Sequence, residues 1–380
     1  MLPLLRNFSF YIAFALLFIP SAAAAVTSQF QDFYPQHGSK YEYVLHHNCS
    51  TEFADYLTGR PEDFPLDWIG GGGKASRLTE PVIRCLLENT SEYIKAASAS
   101  AQVLLGVTPT LLALLGPSMD ELALLTVVGR RPFLSLLLSI GSPSVYVNRA
   151  FEYHDPAELL RSHPRRYRLS LEPSYRKQWA IVILQYTFAM AAATNIATLN
   201  WQLGLRTVCA FWTQTTFAPL VWAILSVPIF IAGTVSLRLR MRRMELDLSS
   251  DEIVPIGFIQ WFRSLPRRLP DAWKNEWVPV IAQGKIRVIL FDERSIEASL
   301  SWFLSTCTTL HILFGTLLLS SLLFIGPEDA LQVIARYIAS VLLCRIILMF
   351  EIAGMWMKYE PHDSEEIELI NWRNVPDQGK

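Results

Sequence analysis

The chain has 380 residues, 51% of them hydrophobic and 18% charged, with a mean hydropathy of +0.27. Soluble domains carry about 25% charged residues, so this composition excludes an ordinary soluble globular domain and points to a bilayer protein. The formal net charge of -1 gives no basis for a nucleic-acid partner, and five cysteines are too few for a disulfide scaffold.

Residues 1–25 hold one cation (Arg6), an apolar stretch from Phe8 to Ile19, Pro20, and small residues offering A-x-A cleavage near Ala24 or Ala25. This is the three-part pattern of a secretory signal peptide. The apolar stretch is short for a spanning helix, which needs about 20 residues, so cleavage is favoured over a retained signal anchor. Either outcome places Val26 onward on the lumenal or extracellular side.

Residues 26–95 form a small N-terminal lumenal segment, polar and aromatic, with turn signals at Tyr34-Pro35, Arg60-Pro61 and Phe64-Pro65 and a glycine run from Gly70 to Gly73. Two glycosylation sequons fall here, Asn48-Cys49-Ser50 and Asn89-Thr90-Ser91. Asn89 lies close to the next apolar block, which favours Asn48 as the acceptor. Cys49 and Cys85 are the only cysteines of this segment, and in an oxidising compartment they are expected to pair. The bridge would staple a segment too small to build much core alone. His46-His47 beside Cys49 lacks a second ligand pair at metal-site spacing, so it reads as a solvated turn. No metal or cofactor is implied.

Five apolar blocks of spanning length follow, at about 97–116, 179–199, 207–234, 301–325 and 331–357. Between the first two lie shorter runs, Leu122 to Val128 and Phe133 to Val147, separated by Gly129-Arg130-Arg131-Pro132. Two cations and a helix breaker do not belong at a bilayer centre, so these runs are expected to form interfacial or re-entrant helices. Cation placement tests the count. Residues 117–178 hold nine Lys/Arg, including Arg165-Arg166 and Arg176-Lys177, and 235–300 hold eleven, opening with Arg238, Arg240, Arg242 and Arg243. The short loop 200–206 holds only Arg206, and 326–330 holds none but carries Glu328 and Asp329. The tail 358–380 has three. Five spans put both basic loops and the C-terminus in the cytosol, whereas a sixth at Phe133 to Val147 would invert everything downstream. The expected fold class is therefore all-α: a polytopic helical membrane protein of the secretory pathway, resident in endoplasmic reticulum, plasma membrane or vacuole.

Within the second basic loop, Trp261, Trp273 and Trp277 are mixed with Arg263, Arg267 and Arg268, a combination that favours the headgroup region. The loop reads as a juxtamembrane segment lying on the bilayer, with a lipid- or protein-docking platform as the alternative. The run Lys285 to Phe291 alternates as one strand would.

Ionisable groups at membrane depth are costly and mark candidate sites. Arg345 falls near the middle of the fifth block, His311 near the middle of the fourth, and Glu351 toward the cytosolic end of the fifth, where it could reach the headgroups. These three are the candidate residues for a small-molecule or lipid ligand. Arg336 is close enough to the lumenal end to snorkel. Gln185, Asn195 and Thr213 to Thr216 supply uncharged partners, most simply for interhelical hydrogen bonds. No aspartate-rich diphosphate motif, P-loop, His-Glu-x-x-His or Gly-x-Ser-x-Gly occurs, and no catalytic residue is assigned.

The stretch CLLENTSEYIKAASASAQVLLGVTPTLLALLGPSMDELALL from Cys85, then RRPFLSLLLSIGSPSVYVNRAFEY to Tyr153, resembles a group of multi-pass membrane proteins from filamentous ascomycete fungi. The turns Leu115-Gly116-Pro117-Ser118 and Arg130-Arg131-Pro132 carry the likeness most closely, and it continues to EIAGMWMKYE in the fifth block. That group has no assigned reaction and no established functional residues, so no residue role carries over. Some members lie in secondary-metabolite gene clusters, which implies an accessory role. The leading expectation is a non-enzymatic membrane component, an accessory of fungal secondary metabolism or of secretory-membrane organisation. The alternatives are a transporter or sensor with a polar intramembrane site, and a membrane enzyme of unrecognised type.

Overall fold

A computed structural model describes residues 29–58, 78–144, 174–213, 215–243, 275–286, 288–290 and 295–359. The expected signal peptide, the Gly70 to Gly73 run, Arg165-Arg166, the Trp261 to Trp273 part of the basic loop and most of the tail lie outside them. In chain order the helices are α1 (Pro35–His47), α2 (Ser50–Thr58), α3 (Thr79–Glu88), α4 (Glu92–Leu115), α5 (Met119–Val127), α6 (Pro132–Gly141), α7 (Tyr175–Arg206), α8 (Ala218–Ile224), α9 (Ser226–Arg240), α10 (Ser295–Ser320) and α11 (Pro327–Lys358). Four short strands, β1 (Val208–Cys209), β2 (Met241–Arg243), β3 (Val288–Leu290) and β4 (Leu322–Leu323), form two antiparallel pairs, β1 with β4 and β2 with β3.

Among the described residues, five helical segments are long and apolar enough to cross a membrane: Glu92–Leu115, Tyr175–Arg206, Ala218–Leu239, Ser299–Ser320 and Pro327–Lys358. At 1.5 Å per residue, the 32-residue α7 and α11 exceed the roughly 30 Å hydrocarbon core. Less than half of each apolar window is buried within the protein, and residues such as Val103, Leu114, Ile183, Leu313 and Ile346 are exposed. Those faces suit lipid. The termini of α11 follow the helix dipole, with Pro327 opening it, Glu328 and Asp329 in the first turn and Lys358 in the last.

Two boundaries differ from the sequence expectation. The loop expected at 200–206 is the end of α7, and the third span begins at Ala218 rather than near Thr207. Val208 pairs with Leu323 and Cys209 with Leu322, so the backbone there spends its hydrogen bonds on a strand. Gly204 brings the end of α7 against the chain that follows: a Cβ there would stand 1.5 Å from the Thr216 carbonyl oxygen.

The described residues fall into two compact units, one from Met1–Thr108, Leu199–Val221 and Gly315–Ile334, the other from Pro109–Thr198, Trp222–Phe314 and Ala335–Lys380. In the first unit, α1, α2 and α3 close on a core of Phe30, Phe33, Tyr41, Leu45, Tyr56, Val82 and Leu86. Val208 and Phe324, far away in sequence, complete it, which compensates for the short N-terminal segment. Phe324 takes a left-handed φ of 65° and packs its ring edge-on against Phe30, Phe33 and Tyr41. The expected disulfide is present: Cys49 and Cys85 are bonded with their Cα atoms 5.9 Å apart, tying the start of α2 to α3.

The core of the second unit gathers α5 and α6 with residues of α7, α9 and α11, among them Leu122, Leu125, Leu134, Leu138, Ala189, Phe230, Cys344 and Leu348. Leu122, Leu124, Leu125, Leu134 and Leu138 of these two short helices are all fully enclosed by protein, so α5 and α6 form part of this core. The strand expected at Lys285 to Phe291 forms in part, as β3 paired with Met241 to Arg243.

Candidate functional site

The α5–α6 pair is held at its turn by charge. Ser118 caps α5 with a reciprocal box: its hydroxyl accepts from the Glu121 N–H at 3.2 Å and the Glu121 carboxylate accepts from the Ser118 N–H at 2.8 Å. After α5, Arg130 adopts a left-handed φ of 55° and Arg131 turns inward to full burial. A non-glycine residue in this region costs about 1–2 kcal/mol, which the surrounding fold has to offset.

Arg131 Nη1 lies 2.8 Å from Glu351 Oε1 and donates to Gln185 Oε1 at 2.6 Å, while Nε donates to the Glu276 carbonyl at 3.1 Å. Gln185 donates its other amide end to Glu351 Oε1 at 2.5 Å, and the Val280 N–H donates to Glu351 Oε2 at 3.1 Å. Glu276 caps α6 from a distant segment, accepting from the N–H groups of Phe133 (3.2 Å) and Leu134 (2.9 Å). Those donors are orphans of the first helical turn, where a carboxylate is also favoured by the dipole. Tyr186 donates its hydroxyl to Glu276, and its ring lies under the Arg131 guanidinium and beside Trp277. Burial pushes the Glu276 carboxyl above its ordinary value, opposed by these hydrogen bonds and by the Arg131 charge.

The three residues singled out from the sequence do not converge. Arg345 pairs with Glu121, the capping residue of α5. His311 is buried, stacks on Trp222 and bonds through Nε2 to the Pro143 carbonyl at 2.8 Å. Glu351 is wholly buried against Arg131 and so does not reach the headgroups. Each has its own internal partner. Asn195 makes the expected interhelical bonds, donating to Ser340 at 2.8 Å and accepting from Arg336. Sequence reading passed over Arg131, Glu121 and Glu276. The Ser118-x-x-Glu121 spacing was a legible sign for Glu121; nothing local marked Glu276, whose partners Tyr186, Phe133 and Leu134 lie 90 to 143 residues away in the chain.

The first unit holds a half-open groove of about 620 Å³. Tyr41, Ile83, Leu87, Leu323 and Phe324 give it an apolar lining, and the first turns of α4 form one wall through Lys95, Ser98, Ala99 and Gln102. Its polar groups are mostly engaged within the protein. Tyr41 and Ser98 share a hydrogen bond at 3.3 Å, Gln102 donates to the Leu322 carbonyl at 3.1 Å, and Thr90 donates to the Leu86 carbonyl. Arg84 pairs with Glu88 and Lys95 with Glu92. Glu80 is the one lining carboxylate with no ion pair among the described residues. The two sequon asparagines are exposed nearby in the chain fold, and His47 stacks on Tyr43 at 4.2 Å.

The fold and sites define a mostly helical protein with five candidate membrane spans, a buried ion-pair network and an apolar groove. Comparison with protein-family models, curated proteins and solved structures finds no match.

Proposed function

We propose that this is a multi-pass protein of the secretory membrane system whose N-terminal segment binds an amphiphile with a long apolar body and a cationic, amine-type head. The observation that carries this is the groove: apolar inside, with Glu80 as its one lining charge without an ion pair among the described residues. A ligand of this kind would bury its chain against Ile83, Leu87 and Phe324 and set its ammonium on Glu80. Since α4 is itself a candidate span, a groove walled by its first turns stands where bilayer meets water, within reach of membrane-dissolved molecules. The reading is one of binding rather than catalysis. A transport site centred on Arg345, His311 and Glu351 gains less support, because each is committed to a separate internal contact. The accessory role in fungal secondary metabolism rests on the sequence resemblance alone.

The test is titration calorimetry on detergent-purified protein with dodecylamine and dodecanoate below their micellar concentrations. A charge-assisted hydrogen bond contributes about 1.5–3 kcal/mol, so Glu80→Gln should weaken the amine by about 10-fold or more and leave the acid unchanged. Ala99→Trp, which fills the wall, should remove binding of both. Equal binding of amine and acid, or amine binding that survives Ala99→Trp, refutes the proposal.

A further inference from the structure

The two glycosylation sequons meet in space. Asn48 ends α1 and Asn89 ends α3, both side chains are exposed, and the Cys49–Cys85 bridge ties their neighbouring residues together. Asn48 Nδ2 donates to Asn89 Oδ1 at 2.9 Å. An amide's own oxygen and nitrogen are about 2.3 Å apart, so the two acceptor nitrogens can be no more than about 5 Å apart. That is less than the width of one pyranose ring with its hydroxyls.

The two nitrogens are not equivalent. Asn89 Nδ2 faces back into the protein, donating to the Cys85 carbonyl at 2.9 Å and lying 3.6 Å from Cys85 Sγ. A sugar there would have to displace one of these contacts beside the disulfide. Its neighbours Glu88 and Thr90 line the groove, so the glycan would also stand at the groove's rim. Among the described residues, Asn48 Nδ2 commits only one hydrogen, to Asn89. Glycosylation replaces a single hydrogen: the anomeric carbon of a lipid-diphosphate-linked sugar forms a bond to Nδ2, its bond to the diphosphate breaks, and Nδ2 releases one proton. The remaining N–H can keep its bond to Asn89 Oδ1.

We propose that the folded protein carries a single N-glycan, on Asn48, and that Asn89 stays unmodified as the hydrogen-bond acceptor for the glycosylated side chain. The inference rests on the lumenal placement of the N-terminal segment and is independent of the groove's ligand.

Intact mass and endoglycosidase shift, measured on the disulfide-bonded membrane fraction from a eukaryotic host, test it. Wild type should show one glycan and Ser50→Ala, which destroys the Asn48 sequon without altering Asn48, none. Asn89→Asp removes the second sequon but keeps an acceptor oxygen, and should still show one. Two glycans on wild type, or one persisting in Ser50→Ala, overturns the proposal. A wild type with none also overturns it, and points instead to the assumed sidedness. A second Asn48-blocking variant, Ser50→Val, guards against misfolding of the first.

Discussion

Removing the Glu351 carboxylate is the sharpest perturbation of the second unit. Glu351→Ala would leave three donors without their acceptor: the Arg131 guanidinium, the Gln185 amide and the Val280 N–H. Orphaning one member of a buried ion pair costs about 3–5 kcal/mol. Each stranded neutral donor adds about 1 kcal/mol or more. A loss of about 5 kcal/mol follows, and at about 2 °C per kcal/mol for a chain of this size the melting midpoint should fall by about 10 °C. The assay is tryptophan fluorescence on heating in detergent micelles. The double variant Arg131→Met, Glu351→Met removes both charges and should recover at least half of the loss, because replacing a buried pair by apolar groups is often close to neutral. A Glu351→Ala midpoint within 2 °C of wild type (about 1 kcal/mol) would show that the carboxylate is not confined as described. A double variant as unstable as the two single losses added together would show that the residues do not act as a pair.

Two further predictions concern the first unit. Gly204→Ala should reduce the yield of monodisperse protein sharply, since its Cβ would strike backbone at 1.5 Å; Gly284→Ala, with no atom within 4 Å, should behave as wild type, and equal yields would refute the close approach. Burial pushes the Tyr56 phenol up to about 12 from an ordinary 10. The folded state then holds a proton that the unfolded chain has lost between pH 10 and 12, so stability falls as pH rises through that window. Tyr56→Phe should flatten this slope in melting midpoints recorded from pH 9 to 12, and an unchanged slope would refute the assignment.

Composition and apolar run length were enough to locate the five candidate spans, because long apolar runs are a local property of the chain. The Cys49–Cys85 pairing was legible for a similarly simple reason: the N-terminal segment offers no other cysteine. Arg345 and Glu351 stood out as ions in apolar surroundings, but their partners did not. Glu121 and Glu276, which meet Arg345 and the first turn of α6, carried no such mark in the sequence. Which carboxylate meets which cation depends on how α5, α6, α7 and α11 pack, and no local pattern encodes that packing. Strand pairing decided the late start of the third span in the same way, since Leu322 and Leu323 lie more than 100 residues beyond Val208 and Cys209. The groove is a purely tertiary feature, because Glu80, Ser98 and Phe324 share a wall only after α1, α3 and α4 have closed on one another. The sequence by itself determined the long apolar runs that make five candidate spans, a local property; the tertiary contacts decided which charges are paired inside the protein, because those partners lie far apart in the chain.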